Sequence, residues 1–350
     1  MDYENNQIVW KKTAETKRHT TYIDLTNIMK RLAAEDEQLL SYFLDGSRHV
    51  FKVDDIAYNN MIYPIIAGQI GVGCCRRENK RIVKDLFKRE IVLSVPDIAN
   101  SDGKPGFFPY MVSKLNECDD LKRLGLEFSK VLAYKTSKAE SKFEDRATAT
   151  VQDHMIECEK QMVADLVRTG KLNQDNYLIK DGSLEYRPTR EDKQDPKIYQ
   201  TFKNNYNWVL GVSKSFNPES VKDINGRSNP GFIADLPLYH RTPVACYENS
   251  DYLGDIQFAI WYVRIRCRSR TRSPFDGILK VEKILVTDDE ITNGMDSELV
   301  DTLSAYLANE RNPVCYGSDL RWANHIYPIY LTEAFVKSNY LSAESFLNLF

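Results

Sequence analysis

The chain has 350 residues, enough for one large domain or two modest ones, and 42% hydrophobic residues supply a sizeable core. Its 47 basic and 50 acidic residues give a net charge of −3, which excludes a generally basic DNA-coating protein and leaves any nucleic-acid contact to a local patch. No apolar run approaches the roughly 20 residues of a membrane span, the polar N-terminus lacks the apolar centre of a signal peptide, and none of the seven cysteines forms a CxxC pair. The expectation is a cytoplasmic protein with reduced thiols, and the cysteine spacing argues against structural zinc.

In chain order, residues 23–44 carry a helical pattern ending in LLSYFL, and Asp45-Gly46-Ser47 follows as a turn signal. Residues 48–57 and 61–75 are rich in β-branched side chains and predict two strands of an antiparallel meander. The polar stretch 76–140 has a mixed helical pattern and reads as an insertion. Residues 143–169 form the clearest helix. Strands are expected at 176–180, 208–212, 243–247, 256–268 and 278–286, an exposed connection at 186–206, and helices at 295–309 and 328–349. This order predicts an α/β or α+β domain.

Two apolar strands run into the same phrase: Leu44-Asp45-Gly46-Ser47 and Lys180-Asp181-Gly182-Ser183. An aspartate at a strand end presents its carboxylate at the sheet rim while glycine lets the chain turn away. Ordinary Asp-Gly turns are the alternative. The helix between them adds a third acid. At 100° per residue, Met155, Ile156, Met162, Val163 and Leu166 all fall within about 60° of Glu159, whereas Glu157 points to the opposite side. A glutamate on an apolar face is costly unless paired or bound to a cation. A buried salt bridge to arginine satisfies it, and so does a metal ion shared with Asp45 and Asp181. Carboxylates suit Mg²⁺ and Mn²⁺, and such ions activate water in phosphodiester cleavage.

These segments resemble the NurA nucleases. Val209-Leu210-Gly211-Val212-Ser213-Lys214 is similar to the family's strand followed by lysine. Asp235-Leu236-Pro237 with Arg241-Thr242-Pro243-Val244, the strands around 258–264 and 279–282, and Tyr327-Pro328 through Ala334 continue the resemblance in the same order. It spans roughly residues 40–349, with 76–140 the least recognisable. The resemblance implies an α/β, ribonuclease-H-like mixed sheet with flanking helices and an inserted helical region. It treats 1–350 as one domain, with a core at about 40–75 and 140–350 and an insertion at about 76–140. It further implies a homodimer that cleaves DNA with Mn²⁺ or Mg²⁺ beside a hexameric HerA-type ATPase, in DNA end processing or anti-phage defence. Asp45, Glu159 and Asp181 match the family's metal-binding acids by position. One departure stands out: Phe335 occupies the place where the family commonly has histidine, with His325 nearby in sequence. That departure keeps a rival reading open, a catalytically weak adaptor or DNA clamp of the ATPase. A ribonuclease is a third possibility.

Lys214 follows a strand end and is a candidate to contact the scissile phosphate or orient the nucleophile. Arg264, Arg266 and Arg268 alternate on one strand face and, with Arg241, are candidate phosphate contacts; ion pairing is the alternative for each, and Glu282 is a possible partner. No phosphate-cradling glycine loop and no GxSxG elbow is present. The apolar end, Tyr340 to Phe350, is either a docking element or core.

Overall fold

The computed structural model describes residues 12–34, 38–137, 142–184, 196–223, 225–249, 256–310, 313 and 324–350. They fall into two units, each built from three stretches of chain: Met1–Leu44, Cys75–Val83 and Val163–Leu331 in the first, Asp45–Cys74, Lys84–Met162 and Thr332–Phe350 in the second. Three long strands, β2 (Leu40–Tyr58), β3 (Met61–Glu78) and β4 (Arg81–Pro96), belong partly to each.

The first unit is a mixed sheet. Beyond the ends of the long strands it contains β1 (Ile23–Asp24), β6 (Tyr177–Asp181), β7 (Val209–Ser213), β8 (His240–Arg241), β9 (Ala245–Asn249), β10 (Ile256–Arg264) and β11 (Ile278–Ile284). The order is β1-β8-β10-β11-β7-β6-β2-β3-β4, with β9 pairing β10 off this path. β6 lies parallel to β2, and β7 parallel to β6. β11 and β10 then continue antiparallel. A three-strand meander followed by two parallel strands, in the order β4-β3-β2-β6-β7, is the ribonuclease-H-like arrangement that the resemblance implies. β6 and β7 are buried almost throughout, as parallel strands covered on both faces must be. Helices α1 (Thr26–Ala33) and α8 (Ser297–Asn309) cover one side, with Met29, Leu32, Val300, Leu303 and Leu307 joining Trp261, Val281 and Leu210 in one core.

The second unit has the order β2-β3-β4-β5, where β5 (Phe128–Tyr134) runs parallel to β4. Asn59 and Asn60 both take positive φ, the two-residue turn that suits the β2–β3 hairpin. Short helices α2 (Phe107–Leu115) and α3 (Asp119–Arg123) lie between β4 and β5, and α4 (Phe143–Arg168) follows. The core here joins Ile91, Leu93, Phe128 and Val131 to Phe346 of α10 (Ala343–Leu347).

Several expectations change. LLSYFL is strand: only Thr26–Ala33 of the 23–44 stretch is helical, because Leu40, Phe43 and Leu44 are buried beside β6. Asp45-Gly46-Ser47 is no turn but the interior of β2. The 76–140 stretch is not mainly helical. It opens with the rest of β3 and all of β4, ends in β5, and holds only short helices between. Part of the expected 186–206 connection is helix, α5 (Pro196–Asn205), and residues 185–195 lie outside the described residues, as does Cys315. The described cysteines are free thiols. Part of the C-terminal stretch is core: Phe346 is fully buried, Leu341 exchanges hydrogen bonds with Gln69, and Tyr340 packs on His49, whereas Leu347 and Phe350 are exposed. Among the described residues, no helix is long and apolar enough to cross a membrane.

Candidate metal centre

In the second unit, Asp45 follows Leu44 along β2, and Glu159 projects from α4 onto the same strand. Both are buried, at 6% and 3% exposure. The helix phase read from the sequence holds: Met155, Cys158, Met162 and Val163 are buried around Glu159, while Glu157 is exposed and salt-bridged to Lys160. Gly46 explains how a glutamate reaches so close to a strand. A methyl group at Gly46 would collide with the Glu159 carboxylate, so the absent side chain is the space the carboxylate fills.

A further acid stands here that sequence reasoning passed over. Glu333, on helix α9 (Tyr327–Lys337), places a carboxylate oxygen within 4.8 Å of one on Asp45. It is salt-bridged to Lys337 at 2.6 Å. Asp45 and Glu333 therefore repel one another, and a divalent ion relieves that repulsion while satisfying their oxygens. The donor set fits Mg²⁺ or Mn²⁺. The Phe335 ring packs on Phe87 and under the Lys84 ammonium.

In the first unit, Asp181 ends β6. The parallel register pairs Leu44 with Lys180, and the next residue of each chain is an aspartate, Asp45 on one and Asp181 on the other. The Lys214 ammonium lies 2.7 Å from Asp181 Oδ2 and 3.2 Å from Nε2 of buried His325. The second Asp-Gly-Ser is a true turn, with Gly182 at φ +88° and its N–H donating to Val212 O at 2.9 Å. Glu282 clips this turn in place. Ser183 Oγ and the Leu184 N–H donate to its Oε2 at 2.8 and 2.7 Å, and Lys280 holds its other oxygen. Glu282 therefore serves the Asp181 turn, and its partners are not arginines.

The arginines do not form a phosphate stripe. Arg264, the last residue of β10, Arg266 just beyond it and Arg241 of β8 are all buried. Arg264 donates to the carbonyls of Ala234, Leu236, Pro274 and Asp276. Arg266 donates to those of Ile265 and His325, and burial pushes it down to about 10. Only Arg268 is exposed, near Asp235 at 3.5 Å. Arg241 is fully buried between Glu15, at 2.9 Å, and Asp301, at 2.6 Å.

No family model matches this chain, and no curated protein matches it. Among solved structures, it is similar to the crystal structure of the NurA nuclease from Sulfolobus solfataricus over 93% of this chain and 89% of that one, at 11% sequence identity and a TM-score of 0.42.

Proposed function

We propose that this chain is a metal-dependent nuclease that hydrolyses phosphodiester bonds in DNA, with Asp45, Glu159 and Asp181 as ligands for Mn²⁺ or Mg²⁺. The observation that carries this reading is Glu159, a nearly dry carboxylate admitted against β2 by Gly46, the residue after Asp45. The β2–β6 register, which leads into Asp181 on the adjacent strand, supports it. A divalent ion so held supplies an activated water and neutralises charge building on the phosphate. Asp45 and Glu159 bind it; Lys214 fixes the Asp181 carboxylate and brings a positive charge to where the substrate phosphate arrives. Glu333 is a further candidate ligand.

The resemblance extends the proposal to a homodimer that works with a HerA-type hexameric ATPase in DNA end processing or anti-phage defence. With a net charge of −3, the chain alone captures DNA weakly, so a motor that feeds it substrate is part of the reading.

The test is cleavage of linear duplex DNA by the purified protein in Mn²⁺, Mg²⁺ or EDTA, with single-stranded DNA and RNA alongside. Asp45→Ala, Glu159→Ala and Asp181→Ala are each expected to abolish cleavage while the thermal melt survives, and Glu157→Ala to leave it intact. Cleavage in EDTA, or loss in Glu157→Ala with activity retained in Glu159→Ala, would end the proposal. Phe335, packed on Phe87 where the resemblance expects histidine, favours the second reading of an adaptor or clamp. That reading expects ATPase and DNA binding with no cleavage in any metal.

A further inference from the structure

The second unit carries another set of ligating side chains, on a different face of α4. His154 and Cys158 stand four residues apart, which puts both on one face of the helix. Glu90, on β4, meets them there. Glu90 Oε2 and His154 Nε2 lie 2.7 Å apart, and Cys158 Sγ lies 3.9 Å from the same nitrogen. One ligand atom from each of the three falls within 4.8 Å of the others. All three are sheltered: Cys158 is buried, and the His154 and Glu90 side chains are 13% and 11% exposed.

We propose that Glu90, His154 and Cys158 bind a zinc-class divalent cation that ties α4 to β4. Sulfur, imidazole nitrogen and carboxylate oxygen are the donors zinc takes, and tetrahedral ligation would set them about 3.5 Å apart. The observed separations bracket that value, so side-chain adjustment without backbone movement admits the ion. A water completes the fourth position. The Lys88 ammonium sits 2.6 Å from Glu90 Oε1, which turns Oε2 toward the histidine and orients the carboxylate as an outer partner does at a metal site. Cysteine spacing argued against structural zinc. Spacing of cysteines carries no signal for a site of this kind, because the proposed ligands come from a strand and a helix 64 residues apart in sequence. The ion class differs from that of the Asp45 and Glu159 carboxylates, whose all-oxygen set selects harder ions. The inference stands independently of the nuclease reading. If both hold, the clamp fixes the helix turn from which Glu159 projects.

The test is titration of the metal-stripped full chain with Co²⁺ in excess Mg²⁺, which fills the all-oxygen centre. One equivalent is expected to bind, with near-ultraviolet thiolate-to-cobalt absorption that Zn²⁺ displaces. Cys158→Ser should remove that absorption, and Glu90→Gln, which keeps size and hydrogen bonding, should weaken binding by at least tenfold. Asp45→Ala should leave both unchanged. Zn²⁺ should raise the melting temperature of the parent and not of Cys158→Ser. Absence of stoichiometric binding, or a thiolate band that survives Cys158→Ser, overturns the proposal and leaves Glu90–His154 as a plain ion pair over a buried thiol.

Discussion

The Glu159 carboxylate occupies the volume that a Gly46 side chain would fill. Gly46→Ala should therefore act as a mutation of Glu159. The glutamate must swing away from position 46, since its carboxylate is the flexible partner. Cleavage and Mn²⁺ binding should fall to the level of Glu159→Ala, with a stability cost of about 1–3 kcal/mol from overpacking. Calorimetric Mn²⁺ titration and a denaturant melt check this. Full Mn²⁺ affinity in a folded Gly46→Ala protein would refute it.

Lys214 holds Asp181 at 2.7 Å and touches His325. Its ammonium is a cation that offsets the Asp181 charge. Lys214→Ala should thus leave Mn²⁺ binding as tight or tighter, since one competitor is gone, while cleavage falls by about 10²-fold for want of a charge at the phosphate. Metal titration and single-turnover cleavage separate the two effects. A parallel loss of both would make Lys214 a structural residue only.

Arg241 and Arg264 are expected to govern folding and not DNA affinity. Arg241→Ala takes the guanidinium from buried Glu15, which keeps only the Val244 N–H, Ser297 Oγ and His19 contacts, and should cost about 3–5 kcal/mol. Arg264→Gln loses carbonyl contacts and should also lower the melting temperature. In protein that remains folded, the salt dependence of DNA binding should keep its slope, because a lost phosphate contact would flatten it by roughly 0.9. A flattened slope would return these residues to the DNA interface.

Burial raises the Glu310 carboxyl from its ordinary 4.5 to about 7, against the opposing pull of Arg77. The folded state therefore holds this proton more tightly than the unfolded chain. The resulting stability is fully present below pH 4.5 and is lost as pH rises through about 7. Glu310→Gln cannot titrate, so its melting temperature should lack this decline between those pH values. Parallel pH profiles for parent and variant would contradict the assignment.

The sequence carried some of this architecture plainly and hid the rest for physical reasons. β6 and β7 were readable because both are short apolar runs in a parallel part of the sheet, and the phase of α4 set Glu159 apart from Glu157. The start of β2 was not, because a short apolar run such as LLSYFL fits a buried helix as well as a buried strand. Asp45-Gly46 read as a turn because the reason for its glycine lies on α4, more than a hundred residues away. Alternation placed Arg264 and Arg266 on one face of the strand expected at 256–268 but could not tell that both are buried. Glu333 gave no signal at all: it is one acid on a helix, and only tertiary packing sets it near Asp45.

The second unit draws on residues 45–74, 84–162 and 332–350, and its core is completed by Phe346. A ribosome therefore releases β3, β4 and β5 long before the side chain that seals them. Through the intervening synthesis, at about 5–20 residues per second, those strands wait with apolar surface uncovered for many seconds. Such long-range closure makes folding slow and exposes the nascent chain to aggregation. Yield in cells should depend on chaperone supply and translation speed more than on the stability of the finished protein.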